Sequence, residues 1–377
     1  MSAVRTLVVN ALRMSNQPTA MGRYIQYVAE QWSRTKVPFD RVVLMSPREF
    51  HVQNLGQATP IEMRTFGGAL PLAVWEQVAL PWRARGVAML FCPSYTGPVV
   101  HPGPMVVANH GIYEVLSTEF SRLARMRSTP LQHICAKRAK RVIANSSVTK
   151  ADLIRFFHIP EDKIETVYPA AHDLFFQRHD AGEIDAEVAR TLGRRVPYIL
   201  FVGKLAKRRN VPNLIEAFAI VRKEKNLPHH LLIVGPNTSG VPVAELARTH
   251  GVANEITYCV HAEHEPLARL YAGADVFALP TTYEGISHTM FEAMASGTAV
   301  LTVEHPTLRE GGGNAAFSVP TASVEDLVKG LACLLSDASV RRHYAEEGRE
   351  RARRFSWETI ARETMKILDR EANPADS

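Results

Sequence analysis

Cysteine is scarce in this chain: Cys92, Cys135, Cys259 and Cys333 are the only four in 377 residues, far apart and without a C-x-x-C pair. That spacing excludes a disulfide framework and a Cys/His zinc site, and buried reduced thiols are expected. No apolar run approaches the roughly 18 residues that a membrane helix needs, and the first residues lack a charged stretch followed by a long apolar core. A cytoplasmic protein is expected. Low-complexity segments and internal repeats are absent as well, which excludes linker-like and solenoid architectures. A complete G-x-G-x-x-G is missing, so a dinucleotide site lacks its fingerprint.

What is present is an ordinary globular composition, 46% apolar and 22% charged. The length exceeds what one core serves, and two domains follow. Strand-like runs alternate with helix-like runs, the pattern of parallel sheets covered on both faces. A first series holds 5–10, 41–45, 88–92, 105–109 and 141–145, and a second holds 198–202, 230–234, 255–259, 275–279, 299–303 and 316–319. Between them, 177–195 is polar with little strand character and reads as a linker. The expected architecture is therefore α/β, two Rossmann-like domains facing each other across a cleft, with domains at 1–178 and 195–356. Helical spacing resumes at 324–335, 340–354 and 357–370.

Net charge is +6, and the first half holds the excess: 21 Lys/Arg against 13 Asp/Glu through Asp180, 23 against 25 beyond it. Arg122, Arg125, Arg127, Lys137, Arg138, Lys140 and Arg141 concentrate it on a helical segment. Such a face suits anionic lipid headgroups or a phosphorylated acceptor, and equally a solvated surface with no partner. Interleaved aromatics are lacking, which speaks against nucleic acid.

Tyr283-Glu-Gly-Ile-Ser-His-Thr-Met-Phe-Glu-Ala-Met-Ala-Ser-Gly-Thr-Ala-Val300 carries the most information. It runs from a strand end into a helix and places Glu284 and Glu292 eight residues apart. Loops at the carboxyl ends of strands in open α/β sheets bind ligands, and free N–H groups at a helix start suit an anion. Plainer accounts stand beside this one. Thr289-Met-Phe-Glu292 fits a capping box, and Glu284 could be a solvated loop acid.

Gly203-Lys-Leu-Ala-Lys-Arg-Arg209 follows another strand, and Gly203, Lys204, Lys207, Arg208 and Arg209 would attract a diphosphate without a metal, unless the loop is only solvated. His110 follows 105–109 and precedes Gly111, a strand-end place where an imidazole could meet a ligand, though a lone His is commonly structural. Gly22, in Pro18-Thr-Ala-Met-Gly-Arg-Tyr24, could let backbone approach a phosphate or could simply precede a helix.

These residues resemble the retaining, sugar-nucleotide-dependent glycosyltransferases of family four, which have the GT-B fold. Glu284-Gly-Ile-Ser with Phe291-Glu-Ala-Met-Ala-Ser-Gly-Thr298 is similar to that family's E-x7-E signature. Gly203-Lys-Leu with Arg209-Asn210, Leu308-Arg-Glu-Gly-Gly-Gly-Asn-Ala-Ala316 and Phe355-Ser-Trp357 support the match. Gly22-Arg-Tyr24, Trp75-Glu-Gln-Val-Ala-Leu-Pro81 and Ala108-Asn-His110 resemble the branch that extends bacterial surface polysaccharides.

The resemblance implies that Glu292 holds the donor ribose and that Glu284 with the N–H groups of Gly285, Ile286, Ser287 and His288 engages the donor sugar. Lys204 and Arg209 would bind the diphosphate, His110 would lie near the sugar, and Gly22 would be phosphate-proximal. A helix at 357–372 would cross back to the first domain. Implied partners are a nucleotide sugar and a glycan or lipid-linked acceptor, with no metal or other cofactor. The family usually carries Arg then Lys where this chain has Lys204 and Arg209, its Asn-Gly-Val-Asp is here Ala170-Ala-His-Asp173, and His288 occupies a usually apolar place. Other functions remain open on the same architecture: a phosphorylase or epimerase, or a non-catalytic glycan-binding or scaffolding subunit.

Overall fold

The computed structural model describes residues 4–14, 20–112 and 122–373, with the side chains of residues 20 and 122–128 outside that description. Pro18 and Thr19 of the Gly22 segment, and the side chains of Arg122, Arg125 and Arg127, therefore lie outside the described residues. The chain divides into two compact units, Met1–Pro169 with Ser356–Ser377, and Ala170–Phe355.

The first unit is built on β1 (Thr6–Asn10), β2 (Arg41–Ser46), β3 (Ile61–Thr65), β4 (Met89–Cys92), β5 (Met105–Asn109), β6 (Arg141–Ala144) and β7 (Ile164–Thr166). These form one sheet in the order β3-β2-β1-β4-β5-β6-β7, parallel at every pairing. Its inner strands are continuous apolar runs because helices cover both faces, and β4 and β5 are buried throughout. Sequence pattern shows five of the seven. The other two lack the apolar signal: β3 is an edge strand whose Glu62 pairs with Arg41 at 2.7 Å and with Arg64 at 3.0 Å, and β7 has three residues.

The second unit holds β8 (Tyr198–Val202), β9 (His230–Val234), β10 (Ile256–Cys259), β11 (Val276–Leu279), β12 (Ala299–Val303) and β13 (Phe317–Val319), all parallel in the order β10-β9-β8-β11-β12-β13. All six match the expected runs. In both sheets the strand order reverses beside the first strand, between β1 and β4 and between β8 and β11, and ligands of open α/β sheets bind beyond the carboxyl ends at such points.

The expected linker is a helix instead. Asp180 accepts from the Gly182 N–H at 2.7 Å and caps Ala181–Leu192, which ends at Gly193 with φ +75°. It belongs to the second unit, where Ile184 and Val188 lie against Gly273 of the helix His264–Gly273. Its polar residues are the solvent face of an amphipathic helix, which is why composition alone resembles a linker.

The last helix, Trp357–Ala372, is part of the first unit, as the resemblance implies. Trp32 Nε1 donates to the Ala361 carbonyl at 2.9 Å, Tyr24 meets Trp357 edge-on at 5.7 Å, and Arg5 and Arg141 pair with Asp369 and Glu371, each at 2.7 Å. Arg141 is thus engaged inside the unit, a correction to its place in the basic face. The thiols are all free, but only Cys92 and Cys135 are buried; Cys259 and Cys333 are half-buried.

Candidate active site

The second unit builds its site where β8, β9 and β11 end. Gly203 follows β8 at φ +152° and Gly235 follows β9 at φ +142°. A Cβ on Gly235 would stand 2.1 Å from the Gly203 carbonyl oxygen, so two backbones cross here in direct contact and only glycine fits. Gly203 donates its N–H to Val234 at 2.9 Å, and Gly235 donates to Cys259 at 2.8 Å.

After Gly203 the cationic loop folds into a 3-10 turn, Lys207–Arg209, ended by Asn210 at φ +49° before the helix Val211–Glu224. Asn210 Nδ2 donates to the carbonyls of Pro280 at 2.9 Å and Arg208 at 3.1 Å, and the Thr282 N–H donates to Arg208 at 2.9 Å. This staples the loop after β8 to the loop after β11. Its consequence is a meeting of charges: Arg209 Nη1 lies 2.5 Å from Glu284 Oε1. The two side chains form a buried ion pair, and Arg209 Nε and Nη1 have no aligned acceptor. Burial pushes the guanidinium below its ordinary pKa while Glu284 holds it up, and an arginine stays charged regardless. Lys204 and Lys207 are exposed on the same loop.

Glu284, 7% exposed, is no solvated acid. Its carbonyl accepts from Thr307 Oγ1 at 2.8 Å, which is itself 2.7 Å from His305 Nδ1, and Tyr283 meets the His305 ring edge-on at 5.7 Å. Gly285, Ile286 and Ser287 are buried behind it and His288 is half-buried. The helix is His288–Ala295, capped by Ser287, whose Oγ accepts from the Met290 N–H at 3.3 Å. Thr289 lies inside the helix and is not its cap, which corrects the capping-box account. Glu292, 4% exposed, accepts at Oε2 from Tyr271 Oη at 3.1 Å, and Tyr271 also lies within electrostatic reach of Arg209. Arg209 with Glu284 and Tyr271 with Glu292 thus form two buried pairs.

In the first unit, His110 is 8% exposed at the end of β5. Its Nε2 donates to the Pro93 carbonyl at 2.9 Å, leaving Nδ1 as a bare acceptor without a partner. Burial pushes its pKa down to about 4, so the ring is neutral at physiological pH. Gly22 is placed differently from expectation: it lies in the first turn of the helix Ala20–Arg34, not in a loop.

Sequence reading missed Tyr271, Asn210, Thr307 and Gly235. Tyr271 sits on the buried face of His264–Gly273 and reads as core; Gly235 directly after a strand was the one visible signal. Among the described residues no group of three or more His, Cys, Asp or Glu side chains could hold a metal, and no helix is long and apolar enough to cross a membrane.

Residues 21–173 match the family model described as Glycosyltransferase Family 4, and residues 187–351 match that described as Glycosyl transferases group 1. An uncharacterized glycosyltransferase of Methanocaldococcus jannaschii is 25% identical over 268 residues, 68% of each chain. O-antigen chain mannosyltransferase B of Escherichia coli is 26% identical over 228 residues, 60% of each, so the chain spans less than two thirds of that relative. The crystal structure of HepE from Anabaena in complex with UDP-glucose superposes with a TM-score of 0.77 at 17% identity, over 97% of this chain and 99% of the other. With both family models in tandem and two wholly parallel sheets, the chain belongs to the family-four glycosyltransferases and has the GT-B fold.

Proposed function

We propose that this glycosyltransferase moves a sugar from a nucleoside diphosphate donor to a hydroxyl of a glycan or lipid-linked oligosaccharide, with anomeric configuration retained, in cell-surface polysaccharide synthesis. The observation that carries the reading is the buried Arg209–Glu284 ion pair, with the buried Glu292 of the following helix held by Tyr271. Relatives support the substrate class: the Escherichia coli protein is an O-antigen chain mannosyltransferase, and the Anabaena structure holds UDP-glucose.

In this reading Glu292 accepts from the ribose hydroxyls, and Arg209 with exposed Lys204 faces the diphosphate beside Gly203. The bond from the anomeric carbon to the phosphate oxygen breaks as the acceptor oxygen bonds to that carbon on the same face. The acceptor proton passes to the departing phosphate oxygen, so no covalent intermediate is required. Arg209 and Lys204 offset the charge that develops on the leaving group, fixed cations being most effective where water is scarce, and no metal is needed for that role. Glu284 and the backbone of Gly285, Ile286, Ser287 and His288 engage the sugar, and on the first unit His110 Nδ1 accepts a hydrogen bond from a substrate hydroxyl.

A peripheral contact with an anionic membrane surface belongs to the same reading. Lys137, Arg138 and Lys140 are exposed, and so are Leu70, Leu72, Val74, Val78 and Trp82, the last three spaced four residues apart, with Arg83 stacked 5.1 Å over the Trp82 ring. Interfacial tryptophan beside arginine suits the headgroup region.

A thermal-shift screen of nucleotide sugars tests the whole reading. One donor stabilises the protein and Glu292→Ala abolishes the shift; no response to any donor, or an equal response from the variant, overturns it.

A further inference from the structure

A second polar cluster lies in the first unit, at the carboxyl ends of β1, β4 and β5 where the strand order reverses. At its centre is Glu76, 5% exposed, on the π-helical turn Trp75–Ala79 that interrupts the helical stretch between Leu72–Val74 and Leu80–Arg83. Single π turns inside helices recur at functional sites. Glu76 Oε1 accepts from Asn10 Nδ2 at 2.8 Å, and Oε1 and Oε2 accept from Thr96 Oγ1 at 3.1 and 3.0 Å. Burial pushes the carboxyl up, and the hydrogen bonds from Asn10 and Thr96 oppose that shift, with Arg13 acting electrostatically in the same sense.

Thr96 follows Tyr95, whose φ of +69° is a strained conformation for an aromatic residue. Such strain persists only where neighbours impose it. Here the Tyr95 N–H donates to Ala108 at 2.9 Å, and Thr96 is fixed on Glu76. The same turn touches His110 twice: the Pro93 carbonyl accepts from Nε2, and the Tyr95 ring packs edge-on at 5.6 Å. Beside it Ser94 Oγ and His110 Nδ1 are both buried without a hydrogen-bond partner, an arrangement suited to a ligand hydroxyl.

We propose that Glu76 is a positioning residue for glycosyl transfer: through Thr96 it holds the strained Tyr95 turn, and that turn aims His110 Nδ1 at a substrate hydroxyl. The inference rests on the reading of His110 given above. Glu76 acts through the turn and does not itself meet the reacting atoms.

The test uses the full chain with ¹⁵N-labelled histidine, comparing the wild type with Glu76→Gln, Thr96→Val and Thr96→Ser. Glu76→Gln and Thr96→Val are expected to shift the His110 ring signals and lower kcat about ten-fold or more, with donor KM and donor-induced stabilisation unchanged, because small misplacement costs rate. Thr96→Ser, which keeps the hydroxyl, restores both. Unchanged His110 signals in Thr96→Val, or a kcat equal to wild type, overturn the inference even if Glu76→Gln fails to fold. Loss of donor stabilisation in Glu292→Ala checks the functional reading separately, so failure confined to His110 sinks this proposal alone.

Discussion

Arg209 Nη1 stands 2.5 Å from Glu284 Oε1, the two side chains being 10% and 9% exposed, although 75 positions separate them in sequence. The closeness is made by the backbone. Asn210 and Thr282 tie the two strand-end loops together, and Thr307 holds the Glu284 carbonyl from a third segment. Arg209 Nε and Nη1 are buried without an aligned acceptor, so the guanidinium keeps N–H groups still to satisfy.

Removing either partner of that pair should cost both stability and activity. Arg209→Ala leaves a buried carboxylate uncompensated, a loss of about 3–5 kcal/mol. Turnover should fall on the order of 100-fold or more as the leaving group loses its cation. Arg209→Lys keeps charge but not the planar fork, and intermediate turnover is expected. Denaturant melts with donor-dependent rates check this; an Arg209→Ala enzyme with wild-type turnover contradicts the assigned role.

Tyr271→Phe deletes the hydroxyl that meets Glu292 and leaves the ring on Phe175 and Phe277 intact. A hydrogen bond to a charged group contributes about 1.5–3 kcal/mol, so donor affinity should weaken by roughly one to two orders of magnitude. Isothermal calorimetry with the donor found by the thermal-shift screen reads the change. Equal affinity would detach Tyr271 from the site.

Gly235→Ala places a methyl 2.1 Å from the Gly203 carbonyl oxygen at a φ of +142°. The backbone strain alone is worth about 1–3 kcal/mol, and relief of the clash must separate β8 from β9 beneath the cationic loop. A lowered melting temperature together with weakened donor binding is expected, whereas Gly193→Ala, with open space around its Cβ, should show only the smaller cost of positive φ.

The fold was legible wherever burial writes a pattern. Runs such as Tyr198–Val202 and His230–Val234 are buried throughout and almost wholly apolar because both sheet faces are covered, so the inner strands of the second unit can be read. β3 could not, since an edge strand carrying Glu62 and Arg64 has one solvent side and no run. In the candidate site, Glu284, Glu292 and Arg209 stand out in the sequence as charges near strand ends and helix starts. Tyr271, Thr307 and Asn210 did not, because their work is a single hydrogen bond to a distant segment, and no spacing along the chain encodes such a contact. The Gln177–Arg195 stretch misled for the opposite reason: an amphipathic helix with charged outer positions has linker-like composition.

If the exposed apolar residues around Val78 and Trp82 and the basic Lys137, Arg138 and Lys140 meet a membrane, the protein should sediment with vesicles containing anionic lipid and remain free with neutral ones. Val78→Glu together with Trp82→Ser should abolish sedimentation without altering the melting temperature, since both side chains are exposed, at 62% and 56%. Charge contributes about 1 kcal/mol per surface cation, so salt near 0.5 M should weaken the association. Binding that ignores lipid charge would assign these residues another role.

His110 supplies a pH signature whose sign is fixed by its environment. Burial lowers its pKa from the ordinary 6.5 to about 4, so the unfolded chain takes up a proton at a pH where the folded chain does not. Its stability contribution is complete above pH 6.5, declines as the pH falls from there, and is lost as the pH passes the folded value near 4. His110→Gln should therefore flatten the fall in melting temperature between pH 6.5 and 4 relative to the wild type. The kcat/KM profile should show no limb from this residue between pH 5 and 8, because the ring is already neutral there and serves as an acceptor at Nδ1. NMR titration of labelled histidine gives the direct measurement, and a His110 midpoint near 6.5 would remove the burial argument and with it the neutral acceptor.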